Sequence, residues 1–400
     1  MPVTELSPPL PPYYRPCRGS VIPPYSPEPS AGEESLSRPS PVRSPRGEFV
    51  QSNGRITLTL KEQAENSAAP TYAPGGLVTG KISIQGSESV TEVVLKLTGR
   101  LDLAASNGGQ PTELVKDSYT VWSDSMRFLC PPSIPFSFIF PSTFKDGDQT
   151  WPLPPSLRIA PPGKPFTYVK CTYTLSVVVS TALHPRFSLW RGEKTLSVPI
   201  NFKPTAFPPR PIPPDPNLFP TIKTAPEEWH QILCDVGHQL RLKNIQCSLF
   251  IPSVLIYGLS DSIPFHLQSS GPAAILKGMI QPLSAESKTQ HPVRVHLTRR
   301  VSLLVRGERQ HRNIDIGEGV LSILPPPCYS ELLDPRDASI DWAGVIQCND
   351  ITATGTFDSG ILYVKDFVVV SIPAWRLEHK FQIQLVSNTW HDTGPVGDQV

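Results

Sequence analysis

Two proline-tyrosine motifs have the residue types and spacing that most clearly predict a binding chemistry. They are Pro11-Pro12-Tyr13-Tyr14 and Pro326-Pro327-Cys328-Tyr329. A proline pair presets the polyproline II conformation, which docks in an aromatic-lined groove with little loss of conformational entropy. The tyrosine supplies a second anchor, so the predicted binding residues are Pro11, Pro12, Tyr14, Pro326, Pro327 and Tyr329. Proline-rich chains also contain such motifs by chance, and the second motif would also suit a rigid turn between strands.

A local cluster of basic residues is a second candidate site. It comprises Arg299, Arg300, Arg306, Arg309 and Arg312. Guanidinium groups bind phosphate oxygens well, so the cluster could contact anionic lipid headgroups or a phosphorylated partner. The alternative is that it is the solvated end of a β-hairpin.

Four serines near the N-terminus precede prolines and are candidate sites for proline-directed kinases: Ser7, Ser26, Ser40 and Ser44. A phosphate would add about −1.5 to −2 charges beside the arginines of this segment and could change how it docks. The alternative is that serine and proline are simply the ordinary composition of an unfolded tail.

Motifs for catalysis and metal binding are absent from the sequence. It contains no G-x-S-x-G, H-E-x-x-H or P-loop pattern, and Asp146-Gly147-Asp148 lacks the later glutamate of a calcium loop. We therefore expect a protein that is not an enzyme, with no catalytic residue, no metal and no cofactor. An enzyme whose acid, base or metal groups converge only in the folded chain remains the alternative.

The composition further restricts the structural class of the protein and its partners. The chain has 48 prolines and only 18% charged residues, which favours strands and loops over helices because proline interrupts helices. The net charge of +1 argues against a nucleic-acid partner. Nothing in the sequence indicates a small-molecule substrate.

The seven scattered cysteines form no C-x-x-C pair and are expected to be reduced thiols. Without a signal-peptide pattern or a long apolar run, we expect a cytoplasmic protein.

Apolar residues alternate with polar ones along several segments, which is the period of a β-strand with one face buried. The clearest segments are 56–60, 93–103, 166–180, 293–297, 301–305, 361–372 and 381–385. In segment 361–372, Asp366 interrupts the apolar face. A short helix is predicted within 224–242, after Pro226.

These segments predict an all-β protein of two tandem, immunoglobulin-like antiparallel β-sandwiches. The predicted parts are a disordered Pro/Ser-rich tail (1–49), a first sandwich (50–203), a Pro-rich interdomain linker (204–224), a second sandwich (225–393) and a short tail (394–400). The linker should be stiff and extended because it is rich in proline.

The first sandwich resembles the N-terminal domain of arrestins, in particular the α-arrestin branch of fungal type. The resemblance lies in TYAPGGLVTGKISI (71–84), VTEVVLKLTGRLDL (90–103) and YVKCTYTLSVVV (168–179). The second sandwich is similar to an arrestin C-terminal domain at CSLFIPSV (247–254), SDSIPFHL (260–267) and ILYVKDFVVVSI (361–372).

The resemblance implies a trafficking adaptor. Proteins of this branch hold cytosolic segments of membrane transporters or receptors and recruit a WW-domain HECT-type ubiquitin ligase through PPxY motifs, leading to ubiquitination and endocytosis. We therefore expect these partners, peripheral membrane contact, and transient association with the plasma membrane or endosomes. The alternative is an endosomal sorting scaffold of related fold that acts without ligase recruitment. Many relatives carry their motifs in a long C-terminal tail, whereas this chain ends soon after its last predicted strand.

Overall fold

A computed structural model describes eleven segments of the chain. They are residues 47–105, 108–126, 128–159, 168–182, 191–212, 218–234, 245–276, 292–324, 338–349, 354–373 and 377–390.

The first half of the chain folds into two packed sheets. Its strands are β1 Gly47–Asn53, β2 Ile56–Gln63, β3 Thr71–Tyr72, β4 Leu77–Ile84, β5 Val90–Ala105, β6 Gly108–Ser123, β7 Ser133–Ile139, β8 Thr143–Asp146, β9 Gln149–Pro152, β10 Leu157–Ile159, β11 Tyr168–Ala182 and β12 Arg191–Phe202. One sheet has the order β1-β2-β4-β7, the other has the order β3-β12-β11-β5-β6 with β10 beside β11, and β8 and β9 form a separate hairpin.

The described residues of the second half form two short α-helices, α1 Leu218–Thr224 and α2 Ala273–Leu276, and ten further strands. The strands are β13 Trp229–Cys234, β14 Gln246–Pro252, β15 Ile256–Gly258, β16 Ile263–Gly271, β17 Arg294–Val305, β18 Glu308–Ile323, β19 Ala338–Ile346, β20 Phe357–Asp358, β21 Leu362–Ile372 and β22 Leu377–Val386. They pair in the order β13-β14-β16-β19-β18-β17-β21-β22-β15, with β20 beside β21.

The two halves repeat one strand order. The path β13-β14-β16-β19 matches β1-β2-β4-β7, and β15-β22-β21-β17-β18 matches β3-β12-β11-β5-β6. Even the parallel pair at the sheet edge recurs, since β3 runs parallel to β12 and β15 runs parallel to β22. Each half is therefore the same two-layer unit, and the predicted all-β sandwich fold is confirmed.

In the second half, β18 passes from one layer to the other. It pairs with β17 as far as Glu318 and with β19 from Gly319 onward. A Cβ at Gly317 would collide with the carbonyl oxygen of Gln347, and one at Gly319 would lie 2.7 Å from the carbonyl oxygen of Val295. Glycine is needed at this corner because the neighbouring backbones approach so closely.

The buried apolar residues form two clusters, and the boundary between these clusters does not coincide with the linker between the two halves. The second cluster lies within the second half. The first fills the first sandwich but also contains residues of β17, of β21 and of the position just before β21, all from the second half: Val301, Leu303, Val305, Ile361, Leu362 and Val364. The two sandwiches are thus joined by shared apolar packing as well as by the linker.

Three details differ from the sequence-based expectations. Strand β1 begins at Gly47, inside the predicted tail, and Phe49 packs against the first core. The predicted helix within 224–242 is wrong over Trp229–Cys234, which pairs with β14 because Trp229, Ile232 and Cys234 are buried there. The two predicted strands at 293–297 and 301–305 form a single strand, β17, which begins at Arg294 and pairs with β21 from Arg294 to Leu303.

Candidate functional site

The junction between the two halves is built on the core-facing sides of β17 and β21. On β17, Val295 and Leu297 belong to the second cluster, whereas Val301 and Leu303 belong to the first. Arg299 lies between these pairs and faces the same side, because side chains alternate along a strand. On β21, Asp366 separates Val364 from Val368 in the same way. A charged pair therefore marks the boundary between the two cores.

Arg299 and Asp366 are direct cross-strand partners and form a bidentate ion pair. The Arg299 Nε lies 2.7 Å from Asp366 Oδ1, and its terminal nitrogen lies 3.0 Å from Oδ2. The two side chains are 6% and 0% exposed. Their fork-to-fork geometry satisfies both groups inside the protein, where an unpaired charge would be strongly unfavourable.

Thr356 connects this ion pair to the edge of the second sandwich. Its hydroxyl donates to Asp366 Oδ2 at 2.8 Å and accepts from the backbone N–H of Leu385 at 3.0 Å. Its own backbone N–H donates to the carbonyl oxygen of Leu385 at 2.7 Å. Residues near the end of β22 are therefore tied through one side chain to the buried charges.

Thr356 also lines a crevice of about 380 Å³ between the two halves. One wall is formed by the end of β12 and the first residues of the linker, including Phe202 and Lys203. The other is formed by residues around β20 and the end of β22, including Phe357 and Gln384. Volumes of this order are typical of small-molecule sites, which often lie between domains.

The first part of the proline-rich linker is bonded to the second sandwich. Ala206 accepts a hydrogen bond from the N–H of Asn388 at 3.1 Å and donates its own N–H to the Ser387 hydroxyl at 3.0 Å. Arg210 contacts Glu228 at 3.0 Å and Ser253 at 2.6 Å. These linker residues therefore lie along the second half.

Two further contacts join the halves. The indole of Trp151, on β9, lies over Gly360, where an added Cβ would be 2.5 Å from the ring. The guanidinium of Arg306 lies over Gly108, at the start of β6, with an added Cβ 2.9 Å from its carbon. Glycine at both positions allows the opposing side chain to approach the backbone closely.

The predicted basic cluster does not form one surface. Arg299 is buried against Asp366, so its assignment to an exposed anion site is wrong. Arg312 is half-buried in register with Val301, on the core-facing side. Arg306 is in the β17–β18 turn beside Gly108. The alternation of side chains along β17 could have shown from the sequence that the cluster is split, since adjacent Arg299 and Arg300 must face opposite sides of the sheet.

The other two arginines of the predicted cluster, Arg300 and Arg309, lie with Lys365 on the outer face of β17, β18 and β21. Arg300 lies 5.0 Å from the centroid of the Phe367 ring, and Arg309 lies 5.0 Å from that of Tyr363. Lys365 is exposed and is the direct cross-strand partner of Arg300. Aromatic contacts orient the two guanidinium groups. Arg300, Arg309 and Lys365 are named here the outer cationic surface, and anion binding at this surface stays a prediction.

Replacing Arg300, Arg309 and Lys365 with glutamine should reduce co-sedimentation with vesicles that contain phosphatidylserine. Each cation near an anionic surface contributes about 1 kcal/mol, and salt weakens the effect. The matched control replaces Lys81, Arg158 and Lys194, three exposed cations of the first half, in the same way. Equal loss in both triple variants would show that general charge, and not this surface, governs vesicle binding.

Burial also shifts the protonation of several side chains. It raises the pKa of the Cys171 thiol to about 12, and it raises the pKa of Tyr173, whose hydroxyl donates to the carbonyl oxygen of Pro154 at 2.7 Å. It lowers the pKa of His296, and the nearby Asp315 carboxylate partly offsets this. These three groups are therefore held in their neutral forms at neutral pH.

The other predicted sites lie outside the described residues. They are the WW-binding candidates Pro11, Pro12, Tyr14, Pro326, Pro327 and Tyr329 and the phosphorylation candidates Ser7, Ser26, Ser40 and Ser44. Within the described segments, no group of three or more His, Cys, Asp or Glu side chains is placed to hold a metal ion. Among the described helices, none has the length and apolar character to cross a bilayer.

Comparison of the sequence with models of protein families finds none that matches. Comparison with curated proteins finds no significant similarity either.

Proposed function

We propose that this chain is an adaptor of arrestin architecture that holds a membrane-protein cargo and recruits a WW-domain HECT-type ubiquitin ligase. The observation that carries the proposal is the strand order repeated in two sandwiches that share a packed, polar junction. Two rigid units with large sheet faces provide separate binding surfaces at a fixed separation. Together with the sequence resemblance, this arrangement favours a binding protein over an enzyme.

In this proposal the sandwiches bind cytosolic segments of transporters or receptors, and the two PPxY motifs bind the ligase. The outer cationic surface at Arg300, Arg309 and Lys365 contacts anionic membrane while the cargo is bound. The protein acts in the cytoplasm and associates transiently with the plasma membrane or endosomes, and bound cargo is ubiquitinated and internalised.

Direct titration of WW domains against the full chain tests the recruitment step. Tyr14→Ala and Tyr329→Ala should each weaken the site that contains it by about tenfold or more, because a tyrosine anchor in a peptide interface contributes about 2 kcal/mol. The sequence offers matched controls in the variable position of each motif. Tyr13→Ala and Cys328→Ala should leave the affinities nearly unchanged.

Proximity labelling in cells separates the proposal from its alternative, an endosomal sorting scaffold. The full chain and the Tyr13→Ala/Cys328→Ala control should label a HECT-type ligase, and the Tyr14→Ala/Tyr329→Ala variant should not. Endosomal location with no ligase labelled by any of the three proteins would favour the sorting scaffold. Ligase labelling that survives loss of both tyrosines would contradict recruitment through these motifs.

A further inference from the structure

The crevice between the halves exists only because the two sandwiches are docked. Its first wall comes from Pro155, Ser156, residues 201–204 and Ala206, and its second wall comes from Thr354–Phe357 and Gln384–Ser387. Four separate segments of the chain thus meet around one space of about 380 Å³. A molecule bound there would contact both halves at once.

The side chains around the crevice favour an anion with an apolar body. Among the described lining residues Lys203 is the one that carries a charge, and its side chain is exposed. None of those described residues supplies a carboxylate to neutralise it. Asn201 and Gln384 supply amide groups, while Phe357 and Pro204 supply half-buried apolar surface. A carboxylate beside Lys203 would gain a charge-assisted hydrogen bond, and an attached ring or hydrocarbon chain would be removed from water.

The crevice is also connected to the polar junction. Thr356 lines it and bonds both to Asp366 and to Leu385, another lining residue. A ligand that packs against this wall would restrain the segment that holds the buried ion pair. Any ligand that binds the docked state alone stabilises that state by mass action.

We propose that this crevice is a binding site for a small amphipathic carboxylate, which places its charge beside Lys203 and its apolar part against Phe357, and which stabilises the docked arrangement of the halves. The ligand is bound and released unchanged, so it is an effector and not a substrate. The site stands on the crevice geometry alone and does not depend on the proposed adaptor function.

Calorimetric titration of the full chain with naphthalene-1-acetate and with its neutral amide, naphthalene-1-acetamide, tests the charge requirement. The carboxylate should bind about tenfold more tightly than the amide, the difference expected of one charge-assisted contact. Lys203→Gln should remove that preference. Lys194→Gln, which changes an exposed lysine far from the crevice on β12, should retain it. Equal affinity for the two probes, or no binding of either, would overturn the proposal.

A filling variant tests the location independently of charge. Ala206 is exposed and lines the crevice, and its hydrogen bonds to the second half use backbone atoms that a substitution retains. Ala206→Trp should therefore reduce naphthalene-1-acetate affinity at least tenfold. Thr205→Trp adds the same side chain to the exposed residue before it, which does not line the crevice, and should bind the probe normally. Unchanged binding in folded Ala206→Trp would show that the probe binds elsewhere and would overturn the proposal.

Discussion

Asp366→Asn is expected to lower the free energy of unfolding by about 3 to 5 kcal/mol, because it leaves the buried Arg299 guanidinium without its counter-charge. Asp366 is 0% exposed and accepts from both Arg299 and Thr356, so water cannot replace the lost carboxylate. Urea denaturation followed by tryptophan fluorescence measures the change. Arg299→Met should be similarly destabilising, since it leaves Asp366 buried and unpaired.

The double variant Arg299→Met/Asp366→Leu is the decisive comparison. It removes both charges and replaces them with apolar side chains, so it should lie within about 1 kcal/mol of the wild type or exceed it. Arg294→Gln is the matched control on the same strand. It breaks the exposed contact of Arg294 with Glu318 and should change stability by less than about 1 kcal/mol. Additive losses in the double variant would contradict the coupling of the pair.

Phe140→Ala is expected to destabilise the first sandwich by about 3 to 5 kcal/mol, the range for removing a buried aromatic ring. Phe140 is fully buried, and its ring centroid lies 5.0 Å from that of Phe202, 5.7 Å from that of Tyr173 and 6.1 Å from that of Tyr72. The substitution removes the ring that the other three share and leaves a cavity among them. The shift in the urea midpoint measures the loss.

Phe128→Ala provides the matched control in the same sandwich. The Phe128 side chain is 71% exposed, so its truncation should change stability by no more than about 0.5 kcal/mol. Phe140→Leu should fall between the two because it retains part of the apolar volume. A small loss for Phe140→Ala, equal to that for Phe128→Ala, would contradict the central position of this ring in the core.

The junction bears directly on the proposed adaptor. Because β17 and β21 contribute to both cores, the sandwiches cannot separate without exposing the apolar residues at one end of these strands. The buried ion pair adds geometric specificity at the same place, since a bidentate contact forms in one register only. Surfaces on the two halves are thereby held at a defined separation, which is what simultaneous binding of two partners requires.

Strand existence and fold class were predictable because the alternation of apolar and polar residues is local. The periods in 56–60, 93–103 and 381–385 correspond to β2, β5 and β22. Gly99 within β5 was also visible in the sequence. The reason why glycine is needed at this position was not visible in the sequence. The ring of Tyr173, which occupies the space, comes from β11, and a Cβ added at Gly99 would lie only 2.8 Å from it.

By itself, the sequence determined an all-β protein of two sandwiches, since burial of one face of each strand depends on neighbouring residues. Only the tertiary structure decided the repeated strand order, the crevice and the ion pair. Asp366 was evident in the sequence as a break in an apolar face, but its partner Arg299 lies 67 positions away in the chain. Contacts between distant segments depend on strand register and sheet order, and no local pattern of residues contains that information.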